Sequence, residues 1–477
     1  TLTTTSNGYN LALQGSNTTI SDIQVATVFN NTGILTLGNN ATDTLSFAGG
    51  LTASAPSAIN AAGQISTSGL NAINLGDATV GSPTGVTLTD DVVLTTAGGA
   101  LNINGAVNGT TANTQSLTLN ATSAGTVSVT STLGQTTSLK TLTLTNSNGA
   151  TFASAVKADT SVVLSNTTAG QTIAFQDNLT TPTLTTTANG YNLALLGSNT
   201  NISGTLAPTV FNNTGTLTLG NQATDSLTFA GGLTATSPIS INAAGQISTS
   251  GAGVINLGDA TIGSATGVTL TDDVTLTTAG GTLNINGAVN GSTANTQSLT
   301  LNATSAGTVS VTSTLGQTTS LKTLTLTNSN GATFASSVKA DTSLVLSSTT
   351  AGQNIIFQDN LTTPTFTTTA NGYNLALLGS NTNISDTQVA TVFNNTGTLT
   401  LGNQATDTLT FAGGLTATAP SGINAAGQIN TSGFNAINLG DNVVGSATSV
   451  TLTDDVVLST AGGTLNINGA VNGSTAD

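Results

Sequence analysis

Two adjacent aspartates recur three times in this sequence, at Asp90–Asp91, Asp272–Asp273 and Asp454–Asp455. Paired carboxylates suit two kinds of chemistry. They can offer oxygen ligands to Ca²⁺, or act as the acid and base of a glycosidase. The signals that should accompany either are missing. The glycine-rich nonapeptide of calcium-binding repeats does not occur. A glycosidase needs two carboxyl groups about 5–9 Å apart across one sugar cleft, whereas neighbours on a strand point to opposite faces. Sugar sites also use aromatic platforms, and the chain has 3 Tyr and no Trp. A solvated corner between two strands is the plainer reading. No residue is assigned a catalytic, cofactor-binding or metal-ligating role, no cofactor is expected, and the chain reads as a non-enzyme.

The remaining composition narrows the chemistry further. Among 477 residues there are 4 Lys, no Arg, 19 Asp, no Glu and no His, Cys, Met or Trp. There is no imidazole base, no thiolate and no His/Cys metal site. A formal charge of −15 excludes a nucleic-acid binder that works by neutralising phosphates. No run of 18 apolar residues suggests a membrane span. Lys140, Lys157, Lys322 and Lys339 all fall in one portion of a repeat, with Asp159 near enough to Lys157 for a surface ion pair. Sequons for N-glycosylation stand at Asn17, Asn30, Asn40, Asn108, Asn120, Asn166 and Asn178. Thr-x-Thr triplets such as Thr87–Thr89 and Thr141–Thr145 resemble the flat threonine arrays of ice-binding solenoids. They are spread along the sequence, and other segments carry Asn or Ser in their place.

The elements that must carry these residues follow from a repeat. TLTTTSNGYNLAL begins at Thr1, TLTTTANGYNLAL at Thr183 and TFTTTANGYNLAL at Thr365, a period of 182 residues without insertion or deletion. The domain reading is therefore 1–182, 183–364 and a partial third copy 365–477, in one continuous solenoid without linkers. Gapless spacing matters physically. Tethered beads tolerate changes in linker length, but a stack does not, because a one-residue slip turns inward side chains outward.

Inside each copy, short segments alternate apolar and polar: SLTLN at 116–120, TVSVT at 126–130, TLTLT at 141–145. That is the period-2 signal of half-buried strands. Turn formers such as Asn104-Gly105 and Asn148-Gly149 separate them. Three all-β architectures compete. A string of sandwiches wants more large aromatics, and a propeller wants a 40–50-residue blade period. A parallel β-solenoid fits best: a narrow column of small aliphatics, with coils of roughly 20 residues and thus about eight or nine coils per repeat. Stacking also explains the low charge, since like charges would form repelling ladders while Thr, Ser and Asn can hydrogen-bond along the stack.

The blocks GVTLTDDVVLTTAGG, LNINGAVNG and SLKTLTLTNSNGATFAS resemble the filamentous-haemagglutinin-like and giant repetitive surface proteins of bacteria. Archaeal surface proteins share the Thr/Asn bias. The resemblance covers the whole chain and implies a secreted, cell-surface, right-handed parallel β-helix used in adhesion, aggregation or as a stalk. Three functions follow as expectations. The first is a structural extracellular fibre giving reach at the cell surface. The second is an adhesin that binds glycans or a partner cell through its lateral face. The third is an ice-binding or carbohydrate-active β-helix. Partners would be the chain itself, end to end or side by side, glycans or another cell. Both ends read as ordinary repeat sequence, so the chain is expected to be a window on a longer polypeptide or a subunit that stacks.

Overall fold

A computed structural model describes residues 1–79, 83–261, 265–443 and 447–474. Residues 475–477, with the Asp477 that ends the third copy, lie outside the described residues. The alternating segments are strands. In Leu117–Asn120, Leu117 and Leu119 are buried while Thr118 and Asn120 are half-buried. Leu139–Asn146, Val127–Val129 and Ala150–Phe152 follow the same rule. No helix occurs among the described residues, and the strands form a parallel β-solenoid of about 19 turns.

The chain divides into two compact units. The first comprises Thr1–Gly220, Asp225–Ala230 and Ser237–Ile239. The second comprises Asn221–Thr224, Gly231–Thr236 and Ser240–Asp477.

In the first unit, each strand pairs in parallel with strands 20–29 residues before and after it, as in Leu45↔Ile65 and Gln64↔Val93. One column of inward residues runs Leu11, Leu35, Ile59, Val86, Val107, Leu133, Val156, Leu179, Thr200. Another runs Leu51, Ile73, Leu101, Val127, Ala150, Ile173, Leu193, Leu217. A third face passes through Leu94, Leu119, Leu144 and Leu164. Three strands therefore make one coil.

The column count corrects the expected eight or nine coils per repeat. Leu193 is the copy of Leu11, yet it stands on the second column, while Leu11 leads up its own column to Thr200, the copy of Thr18. A repeat thus closes after seven and two-thirds coils. The coils are longer than the assumed 20 residues because corners take extra chain. Between Ala61 and Gly63 one residue turns the corner; on the paired coil, between Leu88 and Val92, three do. The second unit behaves alike. Leu233 leads a column through Ile255, Leu283, Val309, Ala332, Ile355, Leu375 and Leu399. Its copy Leu415 stands on a different one, with Ile437 and Leu465.

The core is dry and mostly aliphatic, each buried Leu or Ile adding about 1.5–3 kcal/mol. It holds more aromatic structure than the composition suggests. Phe152 lies flat on Phe175, with centroids 4.7 Å apart and planes 7° apart. Phe334 and Phe357 repeat this stack at 4.6 Å. Stacked coils place identical side chains one rung apart, so two Phe suffice for a ladder.

Candidate functional site

The Asp pairs sit where the long strand Gly85–Thr95 bends round a corner. Its inward alternation lapses at Thr89 and Asp91, which are exposed, with Asp90 half-buried between them. The carboxylates act as acceptors for main-chain N–H groups. Asp90 Oδ2 accepts from Ala41 at 2.9 Å, and Asp91 Oδ1 accepts from Ser116 at 2.7 Å. Asp43, almost fully buried, accepts from Asn39 at 2.9 Å and Asn40 at 3.1 Å. Three consecutive N–H groups of one tight turn, at 39, 40 and 41, are thus satisfied by two carboxylates, a charge-assisted arrangement.

The later copies keep the device: Asp272 with Ala223, Asp273 with Ser298, and Asp454 with Ala405. Asp90 and Asp91 reach toward different coils and do not converge on one cleft. Among the described residues no group of three carboxylates gathers as a cation site. The pair is a corner staple.

The other flagged residues are drawn into the stack as well. Asn108 Oδ1 accepts from Thr136 N at 2.9 Å, and Asn178 Oδ1 from Asn199 N at 2.8 Å. Asn40 and Asn120 brace their own turns through Thr42 N and Thr122 N, each at 3.1 Å. Asn30 Nδ2 donates to Thr4 O, and Asn166 Oδ1 accepts from Asn189 Nδ2. Asn17 Oδ1 accepts from Thr19 Oγ1. Asparagine ladders of the expected kind exist: Asn102 Nδ2 donates to Asn74 Oδ1 at 2.7 Å, and Asn74 Nδ2 to Thr52 Oγ1 at 3.1 Å.

The ion pair expected at Lys157 and Asp159 appears in its copy, Lys339 to Asp341 at 3.8 Å and part-exposed. Such a surface pair is worth at most about 1 kcal/mol. Asp159 accepts from Ser138 Oγ. Lys140 and Lys322 are exposed on matching strands. Burial raises the Tyr191 and Tyr373 phenols above the ordinary tyrosine value, the main cause being desolvation. Tyr191 OH donates to Leu164 O at 3.3 Å.

Two surface features escaped the sequence reading. The first is an exposed apolar corner: Ile23 is 60% exposed and Leu70 80%. The two loops are bridged by Asn71 Nδ2, which donates to Ala48 O at 2.8 Å and to Ile23 O at 3.4 Å. Comparing the copies would have found it. DIQVA at 22–26 becomes GTLAP at 204–208, and LNA at 70–72 becomes AGV at 252–254, while most of the repeat is unchanged.

The second feature is a threonine column. Threonines scattered in sequence fall on one face, with Thr275, Thr300, Thr325, Val345 and Thr367 in successive register. Coil lengths that vary by several residues hid this alignment.

No protein-family model matches the chain, and neither a curated protein nor a solved structure does.

Proposed function

We propose that the chain is a structural, non-enzymatic extracellular fibre or stalk at the cell surface, of the filamentous-haemagglutinin-like kind. Its solenoid is a right-handed parallel β-helix, the hand that parallel crossover connections take, built from tandem 182-residue repeats. One observation carries the reading. Within each unit the inward columns run from coil to coil without a break in parallel pairing, from Leu11 to Thr200 and from Leu233 to Leu399.

A stack of this sort resists extension and proteolysis because every strand is tied to two neighbours. Its polar surface is largely spent on holding the stack together, as the Asp and Asn contacts illustrate. Electron microscopy with fibre diffraction of native material tests the reading. A thin uniform rod with an axial repeat of about 4.8 Å supports it; separate beads on tethers refute it. Labelling of intact cells with a membrane-impermeant reagent tests the surface location.

The second reading is an adhesin that meets glycans or a partner cell through its side. The exposed corner favours it, since Leu70, 80% exposed, becomes Phe434, 88% exposed, in the third copy. An apolar tip that changes between otherwise near-identical copies suits contact with something outside the stack. Loss of cell binding in Leu70→Ser/Phe434→Ser chains, with the β content intact, would support this reading over a passive stalk.

A further inference from the structure

We propose that the threonine face of the solenoid binds the ordered water of an ice surface. The column Thr275–Thr300–Thr325–Val345–Thr367 lies wholly within the second unit and consists of register partners on consecutive coils. Neighbouring rungs are about 4.8 Å apart, and alternate residues on one rung about 6.6 Å. The second dimension is filled: Thr277 stands beside Thr275, Thr323 and Thr327 flank Thr325, and Thr365 precedes Thr367. The result is a two-dimensional grid with one short and one long repeat, the kind of lattice that water oxygens present on an ice face.

The chemistry of the grid suits water rather than a solute. Each Thr pairs a hydroxyl, which both donates and accepts, with a methyl group that cannot bond to water. No charged side chain lies on the outward positions of these strands. No aromatic side chain stands there as a sugar platform, the one Phe of these strands, Phe366, being buried.

The contrast with the neighbouring face is informative. There Asn256 Nδ2 donates to Thr234 Oγ1 at 3.2 Å, and Asn284 Nδ2 to Asn256 Oδ1 at 2.6 Å, so those groups are spent on one another. Thr275, Thr300, Thr325 and Thr367 are half-buried or exposed, and their hydroxyls carry no such bond. A face whose hydroxyls are free, uncharged and periodically spaced can hold water in a lattice without first breaking protein contacts. Val345 keeps the β-branched outline of the column where it lacks a hydroxyl.

The test is ice shaping and thermal hysteresis of the full chain, measured on single ice crystals. The chain should facet growing crystals. Thr300→Lys/Thr325→Lys should lower hysteresis at least tenfold, with the β-sheet circular dichroism unchanged. Ser310→Lys, on the neighbouring face, should retain it. If the double lysine variant does not fold, Thr300→Ser/Thr325→Ser keeps the hydroxyls, removes two methyls and should still reduce hysteresis severalfold. Absence of ice shaping by the folded chain overturns the proposal. So does an equal loss in Ser310→Lys, or full activity in the serine variant.

Discussion

The carboxylate of Asp90 holds the backbone N–H of Ala41 at 2.9 Å, although 49 residues separate them in the chain. It does so beside Asp43, whose carboxylate takes the two preceding N–H groups of the same turn. The two residues should differ in cost. Asp43→Ala leaves two donors unpaired at a buried position, and each is worth about 1–3 kcal/mol. Asp90→Ala frees a single N–H at a half-exposed corner and should cost about 1 kcal/mol. Amide hydrogen exchange at Asn39, Asn40 and Ala41 reads this directly. Faster exchange at Asn39 and Asn40 in the first variant, and at Ala41 in the second, is the expected pattern.

The aromatic ladder gives a second expectation. Phe152 and Phe175 are fully buried and stacked, and Phe152→Ala removes a ring from a core with little freedom to collapse. Substitutions of this type cost about 3–5 kcal/mol. In a stack stabilised by its nearest neighbours, the loss should localise. Exchange should accelerate in Val127–Val129 and Thr172–Phe175, the paired strands, before it does in Leu35 or Leu51.

Alkaline pH should weaken the fold through Tyr191 and Tyr373. Burial raises both phenols. The unfolded chain then loses these protons first, near pH 10, so below that pH their contribution is intact. Above it stability falls until the folded phenols also ionise. Denaturation midpoints should decline from about pH 10 upward, and Tyr191→Phe/Tyr373→Phe should flatten that decline. An unchanged slope in the double variant would refute the assignment.

Strand type, parallel stacking and the period of 182 were all legible because Leu117, Leu119, Leu142 and Leu144 alternate with Thr, and period 2 needs no tertiary knowledge. Coil number was not. It depends on how much chain each corner consumes, and the three residues at Thr89–Asp91 against the single Ala62 cannot be weighed without the pairing. The Asp pairs were legible as a corner but not as a staple, since Ala41 lies two coils away. The Thr300–Thr325 alignment was hidden by the same variable corners. Leu70 and Phe434 were overlooked for another reason: a lone apolar residue between Gly and Asn carries no periodic signal, and only the difference between copies marks it.

Trypsin offers a test of stack integrity. Lys140 is exposed, yet its N–H donates to Gln115 O at 2.8 Å and its strand pairs on both sides. A protease needs several residues of backbone lifted out of the sheet, which requires local opening. The native chain should therefore persist as one 46.5 kDa species. Cleavage after Lys140, Lys157, Lys322 and Lys339 should begin only in denaturant.

Single-residue insertions separate stacking from mere sequence repetition. An alanine inserted between Thr143 and Leu144 shifts Leu144 and all that follows on that strand by one position, turning inward side chains outward. Leu144 pairs with Leu119 below and Leu164 above, so its displacement uncovers both. With each apolar side chain worth about 1.5–3 kcal/mol, losing the contacts of two or three exceeds 3 kcal/mol. The same alanine between Thr111 and Ala112, in an exposed corner, lengthens a loop at a cost of a few tenths of a kcal/mol. Denaturation midpoints of the two variants should differ accordingly, with the corner variant close to the parent. Equal effects would mean that register is not what holds the coils together.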